Sequence, residues 1–78
     1  MVTAEQVKSY IEQGLACDSV SVAGDGHHFE AIIVSAAFRG KNKVQQHQLV
    51  YRALGERMRE EIHALSMQTY TPEDSPNK

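Results

Sequence analysis

A single cysteine, Cys17, stands in a chain of 78 residues. One cysteine closes no internal disulfide, so a disulfide-stapled scaffold is excluded. No stretch approaches the run of about 20 apolar residues that spans a bilayer. The opening "MVTAEQVKSY" lacks a basic segment followed by an apolar one and does not read as a secretory signal. These absences lead to the expectation of a soluble cytoplasmic protein without membrane contact. Basic charge is scarce too: 8 Lys and Arg stand against 10 Asp and Glu, a net −2 with histidine neutral. No strongly basic surface therefore announces nucleic acid. The length allows one small domain near the lower limit for a self-sufficient core. Four histidines in so short a chain point to function on a binding surface rather than in a deep cleft.

Several chemical signatures are missing as well. Among His27, His28, His47, His63 and Cys17, no pair has an H-x-x-x-H or C-x-x-C spacing, so no self-contained zinc site can be read. There is no G-x-S-x-G elbow, and no carboxylate pair stands apart from the solvated helix charges. "GDGHH" is followed by a strand pattern rather than a helix, which rules out a phosphate loop. Cys17 follows a helix end and precedes Asp18, and both features disfavour a thiolate. An enzyme is not expected.

What is present is alternating periodicity. "TAEQVKSYIEQGLA" predicts a helix, with Thr3 as N-cap, Gln6 in the capping-box position, and an apolar stripe of Val7, Ile11 and Leu15. Gly14 weakens its end. In "DSVSVAGD", Val20 and Val22 alternate with Ser19 and Ser21 as in a half-buried strand. Gly24-Asp25-Gly26 supplies positive-φ positions for a tight connection. The most apolar segment, "HFEAIIVSAAF", predicts a strand with Phe29, Ala31 and Ile33 toward the core and Glu30, Ile32 and Val34 on the other face. After the loop "RGKNK", one long helix is expected over "NKVQQHQLVYRALGERMREEI". Asn42 would cap it, and Val44, Val50, Tyr51, Leu54, Met58 and Ile62 would form its apolar face. Gly55 inside it would permit close packing. "HALSMQTY" predicts a third strand, with His63, Leu65 and Met67 opposite Gln68. "TPEDSPNK" is either a frayed tail or a short terminal helix begun by Thr71 and Pro72.

The order helix-strand-strand-helix-strand implies an α+β fold: an antiparallel hairpin, a third strand joining after the long helix, and both helices on one face of the sheet. Two surfaces could carry function. His27 or His28 at the hairpin turn and His63 at the start of a strand in the same sheet could complete the coordination of a metal held by a partner. Arg39, Lys41 and Lys43, ahead of a helix N-terminus, could cradle phosphate, although a solvated loop explains them as well.

Beyond these physical readings, "GDGHHFEAIIVSAAFRGKNKVQQHQLVYRALGERMREEIHALSMQTYTPE" resembles the BolA family. The resemblance is carried by Phe29 to Ser35, Phe38-Arg39-Gly40-Lys41, His47-Gln48-Leu49-Val50-Tyr51, Ile62-His63-Ala64-Leu65-Ser66 and Thr71-Pro72-Glu73. The short length makes the chain similar to the small bacterial subgroup typified by YrbA. The resemblance implies a class II KH-like fold, with one domain over 1–72 and a flexible tail over 73–78. It also implies a non-enzymatic adaptor in iron–sulfur cluster handling or iron sensing, partnered by a monothiol glutaredoxin. The two would share a bridging [2Fe–2S] cluster, with the glutaredoxin cysteine and a glutathione thiol on the partner side. On this side His63 would ligate, joined by His27 or His28, and no cofactor is expected when the chain is alone. The exposed sheet face and the start of the long helix would form the partner surface. Alone, the protein would be a monomer or weak dimer. The alternative is a DNA-binding regulator using Arg39, Lys41 and Lys43. Gln46 stands where the family commonly has Arg or Lys, and Gly40-Lys41-Asn42-Lys43 keeps one glycine of a G-x-x-G loop.

Overall fold

Thr3 starts the first helix because its side chain satisfies an orphan donor. In the computed structural model, which describes residues 1–76, Thr3 Oγ1 accepts from the Gln6 amide, and Gln6 Oε1 accepts in return from the Thr3 amide. This capping box, worth about 1 kcal/mol, opens α1 (Ala4–Gly14). Val7 and Ile11 are fully buried and Leu15 half-buried, so the predicted stripe is the buried one.

β1 (Ser19–Gly24) and β2 (His28–Val34) form the antiparallel hairpin, with Val22 opposite Ala31. β3 (Ala64–Tyr70) lies on the other side of β2 and parallel to it, giving the sheet order β1-β2-β3. A parallel neighbour needs a crossover of a dozen or more residues. Here α2 (Lys43–Leu54) and α3 (Glu56–Glu60) supply it. Phe29, Ala31 and Ile33 join Val7, Ile11, Val50 and Leu54 in one core, so α1 and α2 cover the same face of the sheet. Glu30 and Ile32 point to the opposite, open face. Val34 also lies there by alternation, but it is buried. The expected α+β arrangement is therefore the observed one.

Three details differ from expectation, each for a local reason. The single long helix is two helices. Gly55 adopts φ 58°, ψ −134°, a conformation open to glycine and costly for any other residue, and the chain turns there. Asn42 and Gln45 do form the predicted capping box at the start of α2. The buried stripe of the shortened α2 is Gln46, Val50 and Leu54 at i, i+4, i+8. Val44 and Tyr51, expected on the apolar face, fall on the outer side and are 66% and 42% exposed.

Second, β2 stops at Val34 instead of running on through the apolar "SAAF". Ser35 Oγ accepts from the Ala37 amide and donates to the Ala16 carbonyl at 2.6 Å. It thereby caps a 3-10 turn (Ala36–Phe38) that carries Phe38 back into the core. Third, of the Gly24–Gly26 turn only Gly26 has a positive φ, 98°.

A second 3-10 turn spans Pro72–Asp74. Glu73 and Asp74, the start of the expected tail, belong to it, and residues 77–78 of that tail lie outside the described residues. Among the described residues, no helix is long and apolar enough to cross a membrane.

The close helix contact belongs to Gly14 rather than Gly55. A Cβ on Gly14 would stand 2.7 Å from the Ala53 carbonyl oxygen and 2.8 Å from its Cα. Helix propensity alone favours Gly→Ala by about 1 kcal/mol, but overpacking against rigid backbone costs about 1–3 kcal/mol. Gly14→Ala is therefore expected to destabilise. Thermal unfolding should show a fall in Tm of several degrees, and a rise would refute the close packing of α1 on α2.

Candidate functional site

Parallel pairing of β2 with β3 sets His28 opposite Ala64 and Phe29 opposite Leu65. Extended back by one residue, this register brings His27 beside His63. Their ring centroids are 5.5 Å apart, with the planes tilted by 33°. His28 lies within β2 and shares the open face with Glu30 and Ile32, one step out of phase with the pair. Of the three histidines proposed as ligands, the fold therefore brings two together and points the third elsewhere.

Each member of the pair is held from its own side. Asp25 folds back on the turn so that its carboxylate accepts from the amides of His27 at 2.9 Å and His28 at 3.0 Å. Gly26 between them is buried under the Met1 side chain. On the other strand, Ile62 is buried and anchors the residue just before His63. The preceding Glu61 accepts from the Tyr10 hydroxyl at 3.0 Å, and Arg57 lies over the Tyr10 ring at 4.0 Å. Both histidines are exposed, and a groove lined by Met1, Gln6, Glu60 and Glu61 opens beside His63.

The remaining candidate ligands are distant. Asp18, next to Cys17, donates its amide to Val34 at the far end of β2. The Cys17 thiol donates to the Leu15 carbonyl. Burial first, then the Glu12 and Asp18 carboxylates, push that thiol up to about 11, which disfavours the thiolate. His47 lies on α2. Among the described residues, no group of three or more His, Cys, Asp or Glu could hold a metal ion. Among the described residues, the two imidazoles therefore stand together without a third such donor in their group.

The basic loop sits at the opposite end of the sheet. Lys43 donates to the Thr69 carbonyl and lies 4.8 Å over the Tyr70 ring, near the end of β3. β3 begins just after His63, so about 20 Å of strand separates the two candidate surfaces. Arg39 is paired with Glu73, its Nε at 3.1 Å from both carboxylate oxygens. That contact holds the Glu73 carboxyl below its ordinary range, first through the Arg39 hydrogen bond. Two of the three cations are thus already engaged within the protein, while Lys41 is exposed in a polar groove with Gln45, Gln48 and Arg52.

Gln46 organises this end, and its role is missed by reading the sequence for motifs. Its Nε2 donates to the Lys41 carbonyl at 2.9 Å and the Phe38 carbonyl at 3.3 Å, while its Oε1 accepts from Thr69 at 2.7 Å. The available signal was its position four residues before Val50, on the core stripe of α2. Asp25 was legible in a similar way, because an Asp that opens a tight turn commonly accepts from amides two residues on.

The chain is a small α+β domain with two exposed imidazoles side by side at one end of its sheet. A family model described as "BolA-like protein" matches residues 7–74, and the chain belongs to the BolA family. It is 45% identical over 51 residues to the "DNA-binding transcriptional regulator BolA" of Haemophilus influenzae, a match covering 65% of this chain and half of that relative. To the "Acid stress protein IbaG" of Escherichia coli K12 it is 38% identical over 68 residues, covering 86% of this chain and 81% of the relative. The solved structure of a bolA protein homologue from Coxiella burnetii superposes with a TM-score of 0.83 at 47% identity, covering 95% of this chain and 96% of that one. These relatives are named as regulators or stress proteins, not as enzymes.

The Asp25 turn yields a pH prediction. Hydrogen bonds from the His28 amide and then the His27 amide hold the Asp25 carboxyl below its ordinary 3.8. A lowered pKa means that the turn is favoured above the ordinary value and released as pH falls through the lowered one. The amide shifts of His27 and His28, followed by NMR, should titrate with a midpoint below 3.8. A midpoint at or above that value would contradict the hydrogen bonds.

Proposed function

We propose that this chain is a non-enzymatic adaptor that shares a [2Fe–2S] cluster with a monothiol glutaredoxin, His63 and His27 being its ligands. The observation that carries this reading is the adjacency of the two exposed imidazoles, which no third donor joins among the described residues. Two imidazoles on one tetrahedral ion, with nitrogens about 2.0–2.1 Å from the metal, have centroids roughly 5 Å apart, close to the observed spacing. The missing ligands fit a partner that brings a cysteine thiolate and a glutathione thiol. A [2Fe–2S] cluster supplies one-electron exchange, and imidazole in place of thiolate raises its potential. The contribution of this chain is positional: Asp25 sets one ring and Ile62 with Glu61 sets the other. The partner surface then centres on the sheet end beside α3. The start of α2, expected to belong to it, lies at the other end.

A second reading rests on a different observation, the exposed Lys41 beside Arg52 on α2, together with the DNA-binding name of the Haemophilus relative. On this reading the chain is a transcriptional regulator that contacts phosphate through Lys41, with Arg39 and Lys43 mainly holding the loop in shape.

Mixing the protein with a [2Fe–2S]-loaded monothiol glutaredoxin should change the visible circular dichroism of the cluster. His63→Ala should abolish the change and His27→Ala should alter it; an unchanged response with His63→Ala refutes the assignment. For the second reading, affinity for duplex DNA should fall steeply with salt. Lys41→Glu should remove binding, and undiminished binding counts against the basic loop.

A further inference from the structure

We propose that the same two imidazoles bind zinc when no cluster-bearing partner is present, and that they do so in pairs of chains, His27 and His63 of each copy holding one shared Zn²⁺ ion. The inference rests on the reading of His27 and His63 as a ligand pair and adds a second occupant for it.

The argument starts from coordination number. The observed ring spacing of 5.5 Å is close to the roughly 5 Å between two imidazoles that share one tetrahedral ion. Zinc in a structural site takes four ligands in a tetrahedron. Among the described residues, no third His, Cys, Asp or Glu stands close enough to join these two, so each chain presents half a site.

A second copy is the simplest donor of the other half. A two-fold axis through the ion repeats the pair and closes the shell with four nitrogens, and two-fold dimers are the commonest closed assembly. Access favours it: both rings are exposed at the end of the sheet. Local charge favours it too, because Glu60 and Glu61 line the groove beside His63 and offset part of the charge of the ion.

Such a dimer would bury the imidazoles that a cluster-bearing partner needs. Zinc and the partner would therefore exclude one another, which makes zinc availability a control on this site.

The test uses the full chain alone. Addition of ZnCl₂ should convert a species of the 8.7 kDa chain mass to one of twice that mass in sedimentation or light scattering, saturating at one zinc per two chains and reversing with a chelator. His27→Ala and His63→Ala should each stay monomeric, while His28→Ala and His47→Ala should dimerise like the parent. Far-UV circular dichroism checks that each variant is folded. A protein that stays monomeric at every zinc level, takes up one zinc per chain without a mass change, or dimerises independently of His27 and His63 would overturn the proposal. The cluster experiment above is independent: failure of zinc dimerisation with an intact His63-dependent cluster response removes this inference alone, whereas loss of both removes the ligand pair.

Discussion

The in-register parallel pairing of β2 with β3 is the constraint on which the rest of the molecule depends. A parallel neighbour cannot be reached by a hairpin, so the chain must cross over one face of the sheet, and α2 and α3 are that crossover. Because β2 begins at His28 and β3 at Ala64, directly opposite, the residues that lead into the two strands arrive side by side. His27 and His63 are 36 positions apart in the chain and are neighbours for that reason alone. The same pairing sends the end of β3 to the other end of the sheet, where it meets the start of α2. The histidine pair and the basic loop are thereby kept apart.

Each end of the sheet is then fixed by short polar contacts rather than by bulk. At the histidine end, one carboxylate, Asp25, accepts two amides, and Tyr10 ties Glu61 to α1. At the other end, Gln46 and Thr69 sit in the core with their polar atoms satisfied. A buried amide costs more than it returns unless fully partnered. Gln46 meets this condition by binding the loop, the 3-10 turn and β3 together. Lys43 and Arg39 add contacts from the same loop to β3 and to the C-terminal turn. Their charges are engaged within the fold.

Two exposed imidazoles stand side by side at one end of the sheet. Among the described residues, no third His, Cys, Asp or Glu completes a metal-holding group with them, and the one cysteine lies at the far end of the sheet with its thiol pushed up by burial. On the proposed reading, the chemistry of the pair belongs to complexes, in which the second molecule decides what is bound.

Much of the architecture was determined by the sequence itself. Both capping boxes, the stripe of Val7 and Ile11, and the alternation that sends Phe29, Ala31 and Ile33 inward follow from local spacing, because helix and strand periods are properties of short segments. The histidines were visible as candidates, His27 and His28 as alternatives beside His63. What tertiary structure decided was everything that depends on another segment. Gly14 takes the close contact because α1 meets α2 at Ala53, which no propensity contains. Val44 and Tyr51 face outward because α1 and the sheet select a different stripe. The choice of His27 over His28 came from the register of β2 on β3, a long-range pairing in which a shift of one residue would have put the other ring beside His63.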